Sequence, residues 1–224
     1  MTLRSQLTRP LSELEAMRGR FAEGRSLIEQ ELSTARQLGL VLDIGAGFLR
    51  SAGSVSFMAG DIAEAERKLR EGVVTLEQIG DTAHRVSVAA DLALVLLAAQ
   101  GREREVVELA EQHTPLMIED DVDAVVRWDA ARGLALGRLG RLDEAERLVR
   151  RAVDRAWATE YVDLRGLSQA ALAEVLLRAG RRDGAAVALR QAVSVYEAKG
   201  NVVWATAARQ TLERLEAGAR SALA

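Results

Sequence analysis

GRLDEAERLVRRAV, residues 140–153, is the stretch that decides the fold, and GDIAEAERKLREGV, residues 60–73, repeats its plan. After Gly140 the apolar residues Leu142, Ala145, Leu148, Val149, Ala152 and Val153 recur at helical spacing, as do Ile62, Ala65, Leu69, Val73 and Leu76 after Gly60. Each glycine also follows an apolar helical stretch. It therefore suits the residue just past a helix C-terminus, where a left-handed backbone is cheapest without a Cβ. Gly19, Gly101 and Gly180 stand in the same setting, so the five turns fall at intervals of 41, 41, 39 and 40 residues. Such a period identifies a repeat in which each unit is a helix, a tight turn and a second helix.

Working outward, the second helices follow the turn glycines, and the first helices are expected at Val41–Ala59, Thr82–Gln100, Asp121–Leu139 and Val162–Ala179. A last helix from Val202 to about Glu216 closes the array. The expectation is an all-α fold, a right-handed superhelix of about five helix-turn-helix units plus a terminal helix. The units read as about 1–38, 41–79, 82–118, 121–159 and 162–199 within one domain, 1–224, with the final helix at about 202–216. Ala65, Ala145 and Ala185, five residues after their glycines, and Gly53 and Gly133, seven before, are small where paired helices must touch. Gly24 and Val106 break the alanine pattern, which predicts less regular packing in the first and third units. Gly39, Gly80-Asp81 and Gly200-Asn201 read as helix stops joined to N-caps. Pro115 should distort the third unit, and the segment before Gly19 reads as too short for a full helix, with Pro10 in its first turn.

Composition narrows the function. Hydrophobic residues make up 49% but aromatics only 4%, so the core must be built from Ala, Leu and Val. Thirty basic against 33 acidic residues give a net charge of −3, which supplies no global positive field for nucleic acid or an anionic membrane. The chain has no Cys, so disulfides, thiolate zinc sites and cysteine nucleophiles are excluded. The N-terminus lacks the apolar block of a signal peptide, and the longest apolar run, Leu92 to Ala99, is far below a membrane span. A cytoplasmic location is the expectation.

The register of GRLDEAE and GDIAEAE after the turn is similar to the tetratricopeptide (TPR) repeat, with a longer period. The run LRGLSQAALAEVLLRAGRRDGAAVALRQAVSVYEAKGNVVWATAARQTLERL, residues 164–215, resembles the C-terminal repeat region of bacterial signalling proteins. In these a cyclase-like domain and a STAND-type ATPase, related to regulators of the LuxR and bacterial transcriptional activator types, precede the helices. The resemblance covers roughly Leu14 to Leu215. It implies a sensing or autoregulatory role beside an ATPase or cyclase, yet no GxxxxGK[ST] loop is present: Gly45-Ala46-Gly47 continues into Phe48-Leu49-Arg50. The chain reads as a free-standing repeat protein or a detached C-terminal piece.

No catalytic constellation, metal site or cofactor motif emerges. His84 has only Asp81 at ligand spacing and His113 has no companion. The run Glu119-Asp120-Asp121-Asp123 lacks the glycine and terminal Glu of a calcium loop, and reads as an N-cap with first-turn charge. Trp157 and Trp204 read as core. Trp128, between Arg127 and Arg132 on one helix, suits a cationic and aromatic surface patch. In such repeats the first helices line the concave face. Residues thirteen, ten and six before each turn glycine then face inward: Arg50, Ser54, Asp91, Arg127 and Glu174 among apolar Gly47, Val88, Val95, Ala130, Leu134, Leu167 and Ala170. The expected partner is a protein or peptide on that face, bound at Arg50, Ser54, Asp91, Arg127, Trp128 and Glu174. The alternative is a small-ligand sensor binding between repeats. Arg209, Glu213 and Arg214 look like a solvated face on the last helix, whereas the N-terminal end lacks such a cap, so contact is expected there with another domain or a second copy.

Overall fold

The structure is a computed structural model that describes the backbone of residues 3–221 and the side chains of residues 7–218. Among the described residues all regular structure is helical. The order is α1 (Leu3–Met17), α2 (Phe21–Gln37) and α3 (Val41–Asp43), which runs through a π-helical segment, Ile44–Phe48, into α4 (Leu49–Met58). Then come α5 (Ile62–Gln78), α6 (Thr82–Leu96), α7 (Glu103–His113), a 3₁₀ turn (Thr114–Leu116) and α8 (Val122–Arg138). The chain continues through α9 (Leu142–Trp157), α10 (Val162–Arg178), α11 (Arg182–Lys199) and α12 (Val202–Ser221). It divides into two compact units: Met1–Arg102 with Glu108–Ile118, and Glu103–Val107 with Glu119–Ala224. The boundary passes through α7.

The turns follow from the glycines. Gly19, Gly60, Gly101, Gly140 and Gly180, together with Gly39, Gly80 and Gly200, all have φ between +67° and +83°. At Gly60 the Asp61 N–H donates to Ser56 O at 2.9 Å and the Gly60 N–H to Phe57 O at 3.0 Å, which satisfies two carbonyls that the helix end would leave bare. The N–H after each of Gly19, Gly39, Gly80, Gly140, Gly180 and Gly200 likewise reaches the carbonyl five residues back. Gly101 departs from this pattern. The N–H groups of Ala98 and Ala99 bond three residues back, to Val95 O and Leu96 O, so the last turn tightens and α6 stops at Leu96 rather than at Gln100. Helix starts are capped where the sequence offers an oxygen: Asp61, Asp81, Asp121 and Asn201 accept from the N–H groups of Glu64, His84, Ala124 and Trp204.

One expectation at the N-terminus is corrected. α1 has 15 residues, as many as α6, and Pro10 lies in its interior. Pro10 removes one intrahelical bond there, but its ring is on the exposed side of the helix. The α1/α2 pair is closer at Gly24 than an alanine would allow. A Cβ on Gly24 would sit 2.7 Å from Ser12 O, a backbone atom that cannot move aside. At Gly53 and Gly133 an added Cβ would meet Leu69 Cγ and Val149 Cγ1, each at 2.6 Å. Ala65, Ala145 and Ala185 are fully buried. α12 extends past Glu216 to Ser221.

In the first unit the core joins Ile28, Leu32 and Ala35 of α2 to Ile44, Phe48, Leu49 and Ala52. The Gly45-Ala46-Gly47 run belongs to the π-helical segment, where a Cβ on Gly72 would lie 3.2 Å from Gly45 O. In the second unit Val126 of α8, Ala152 and Ala156 of α9 and Leu164 of α10 form a shared cluster.

His113 ends α7 from the inside, 7% exposed, with Nδ1 2.9 Å from Leu109 O. Burial holds its pKa below the ordinary 6.5; the bond to Leu109 O opposes this, Arg85 adds to the depression and Glu77 counters it. The folded chain therefore binds less proton than the unfolded chain below 6.5. Stability should be full above that pH and fall as pH drops through it. The expected result is a urea midpoint that declines from pH 7 to 5.5, with the decline flattened in His113→Gln and kept in His84→Gln. An unchanged slope in His113→Gln would remove His113 as its source.

Candidate binding face on the first helices

Within each unit the first helices of successive pairs lie side by side, and charged residues about one repeat apart meet. In the first unit Arg50 of α4 donates through Nε to Asp91 Oδ2 of α6 at 2.5 Å, and both are half-buried. Arg9 of α1 crosses the same face, since a Cβ on Gly47 would be 2.9 Å from its Nη1. The Ser51 hydroxyl donates to Glu13 beside it. Ser54 is half-buried. In the second unit Arg127 donates along its own helix to Asp123 Oδ1 at 2.8 Å. Glu174 of α10 accepts a two-pronged bond from Arg138 of α8, at 2.7 and 3.1 Å, and a third from Arg178 at 3.2 Å. Desolvation alone would raise the Glu174 pKa, but these guanidinium bonds outweigh it and hold the carboxyl below its usual range. The Glu174 bond raises Arg138 in turn. The pair is charged at neutral pH.

The structure thus joins Arg50 to Asp91, pairs Arg127 with Asp123, and turns Glu174 toward an arginine the sequence reading passed over. Arg138 lies only two residues before Gly140, off the inward-facing positions, and reaches the face through its long side chain. Of the apolar residues at the inward-facing positions, Gly47, Val88, Val95, Ala130 and Leu134 are buried, which leaves Leu167 and Ala170 as the half-buried members. The charged residues of these positions are matched in pairs.

The tryptophans exchange roles. Trp128 is 1% exposed, so it offers no face to a partner and is withdrawn from the candidate site. Trp157, expected in the core, is 45% exposed, with the Arg165 guanidinium 5.1 Å above its ring. Trp204 is half-buried. Asp129, which the sequence reading did not single out, is buried beside Trp128 in sequence and holds Arg151 of α9 through two hydrogen bonds, one of 2.6 Å.

The acidic run is dispersed: Asp121 caps α8, Glu119 binds Arg155 at 3.0 Å and Asp123 binds Arg127. Among the described residues no group of three His, Asp or Glu side chains is placed to hold a metal ion. No helix among them is long and apolar enough to cross a membrane.

No protein-family model matches the chain, and no curated protein matches it. Solved structures do. It is similar to a thermophilic TPR protein of Thermus thermophilus, 21% identical with a TM-score of 0.56, over 91% of this chain and 98% of that one. It is also similar to a Podosopora anserina protein of the kinesin light chain description with nearly identical TPR-like repeats, 20% identical with a TM-score of 0.54, over 87% of this chain and 97% of that one. The fold is all-α and TPR-like.

Proposed function

We propose that the chain is a non-catalytic scaffold that binds a protein segment on the first-helix face of its units. The observation that supports this is the set of half-exposed ion pairs, Arg50–Asp91, Arg127–Asp123 and Arg138–Glu174, fixed on helices that glycine caps and small-residue contacts hold in place. A polar segment can exchange into such pairs with little ordering cost, because the side chains are already held. The buried apolar positions favour an extended or polar partner over an apolar helix laid in a groove. By its resemblance to the repeat regions of bacterial signalling proteins, the segment would belong to an ATPase or cyclase-like component of such a system.

Selection of a random peptide library on the intact chain, followed by titration calorimetry of the selected peptides, tests this. The double variant Arg50→Ala/Asp91→Ala should weaken binding of peptides seated on the first unit, and Arg127→Ala that of peptides seated on the second, each about tenfold, as loss of a central contact does, with circular dichroism unchanged. Peptides that bind both variants as tightly as the native chain would place the site elsewhere.

A further inference from the structure

His113 is the last residue of α7 and the last buried side chain of the segment Glu108–Ile118 that completes the first unit. From Thr114 to Ile118 every side chain is half-buried or exposed, with Leu116 and Ile118 at 43% and 59%. Leu109 O is an acceptor only, so Nδ1 of the ring donates to it and a second proton adds at Nε2, inside the fold. Among the described residues the charges that act on the ring are Arg85 of α6 and Glu77 of α5, both in the same unit. Arg85 Nη1 donates to Glu77 Oε1 at 3.0 Å, and Arg85 Nε is buried with no hydrogen-bond partner among the described residues. The Glu77 side chain is 64% exposed. A charged His113 therefore faces a guanidinium already short of acceptors, while the carboxylate that acts on it lies largely in solvent and is engaged elsewhere.

We propose that protonation of His113 opens the end of α7 locally: the ring swings out to water, the turn from Ala110 unwinds, and Thr114–Ile118 is released while α5 and α6 stay folded. Little holds the stretch besides the ring. The Thr114 hydroxyl donates to Ala110 O at 2.8 Å and the Met117 N–H to Thr114 O at 3.2 Å, and Pro115 has no N–H to lose. α5 and α6, by contrast, bury Leu69, Leu76, Val86, Val88 and Leu92 and are capped by Asp61 and Asp81. The opening that costs least is populated first. Above the ordinary histidine pKa of 6.5 the ring is neutral in both forms and the stretch stays down; below it the open form takes the proton more readily, so opening grows as pH falls. The released stretch then offers Leu116, Met117 and Ile118 to whatever engages it, and ties that contact to mild acid.

Hydrogen exchange of the full chain, read by mass spectrometry and corrected for the intrinsic effect of pH, should show residues 110–118 opening about tenfold more at pH 5.5 than at pH 7.5, because 5.5 lies one unit below the ordinary histidine value of 6.5. Peptides from α5 and α6 should keep their protection. His113→Gln retains a donor for Leu109 O but takes up no proton, and should bring the ratio to about one. His84→Gln should leave it unchanged. Where His113→Gln opens the turn at both pH values, Arg85→Gln decides, since it leaves His113 in place and removes the like charge, and the ratio should fall. No rise in acid, a rise spread evenly over α5 and α6, a full ratio in His113→Gln, or an unchanged ratio in Arg85→Gln overturns the proposal.

Discussion

Trp128→Ala is expected to cost about 3–5 kcal/mol, the usual range for truncating a fully buried large aromatic residue. The upper part of that range applies here because of the neighbourhood. Ala124, Ala131 and Ala135, at i−4, i+3 and i+7 on the same face of α8, are all buried. Alanine side chains have no rotamers with which to fill a void, so the cavity stays open. Trp157→Ala removes a half-exposed ring and one stacked guanidinium, and should cost about 1 kcal/mol. Urea denaturation followed by circular dichroism separates the two, with fluorescence of the remaining tryptophans as a second probe of two-state behaviour. Equal losses would mean that Trp128 is not in the core.

The second large effect reverses an ordinary rule. Replacing glycine by alanine inside a helix gains up to about 1 kcal/mol from backbone propensity alone. Gly184, in the first turn of α11, should show that gain, because its Cβ would meet only Leu176 Cδ1, at 3.3 Å and on a side chain that can turn. At Gly166 in α10 the same Cβ would lie 2.4 Å from Tyr196 Cε1 and 2.8 Å from two further ring atoms. Tyr196 is buried, and burial also pushes its phenol well above the ordinary range, so its ring has no low-cost route outward. Overpacking of this kind costs typically about 1–3 kcal/mol. A net loss of about 2 kcal/mol is expected for Gly166→Ala beside a small gain for Gly184→Ala, measured by urea denaturation of each. A gain in both would show that the tyrosine ring yields.

Much of this architecture was legible because it rests on local backbone demands. A left-handed turn residue has to be glycine at nearly every repeat, so the period stood in plain view, and Asp81, Asp121 and Asn201 announced helix starts through their short oxygen-bearing side chains. Side-chain direction was less legible. α8 is buried on almost every side, so it has no polar face from which to orient Trp128, and Arg127 beside it gave a misleading cue. Asp129 depends on Arg151, 22 residues further along the chain. The pairing of Arg50 with Asp91 did leave a trace: the two stand 41 residues apart, one repeat, with opposite charge. α1 misled for another reason. Pro10 suits a first turn, which made the segment before Gly19 read as too short, whereas it stands on the exposed side of a 15-residue helix that continues before it.

The links between successive pairs bear on how such a chain can grow. Six residues after its turn glycine each pair tends to carry a charge that meets the residue just after the next turn glycine: Arg25 with Asp61, Glu66 with Arg102, Glu146 with Arg181. The sign is reversed between the first link and the second, and Val107 occupies the place six residues after Gly101. A tandem copy of the Gly60 segment would set Glu66 against a second Asp61, and a copy of the Gly19 segment would set Arg25 against a second Arg20. A copy of the Gly140 segment would set Glu146 against Arg141, an attractive match. Each such contact is worth only a few tenths of a kcal/mol to about 1 at a solvent-exposed site. That is enough to bias which duplications a gene could keep: lengthening is easiest from the Gly140 segment, and the two N-terminal segments are tied to their present order.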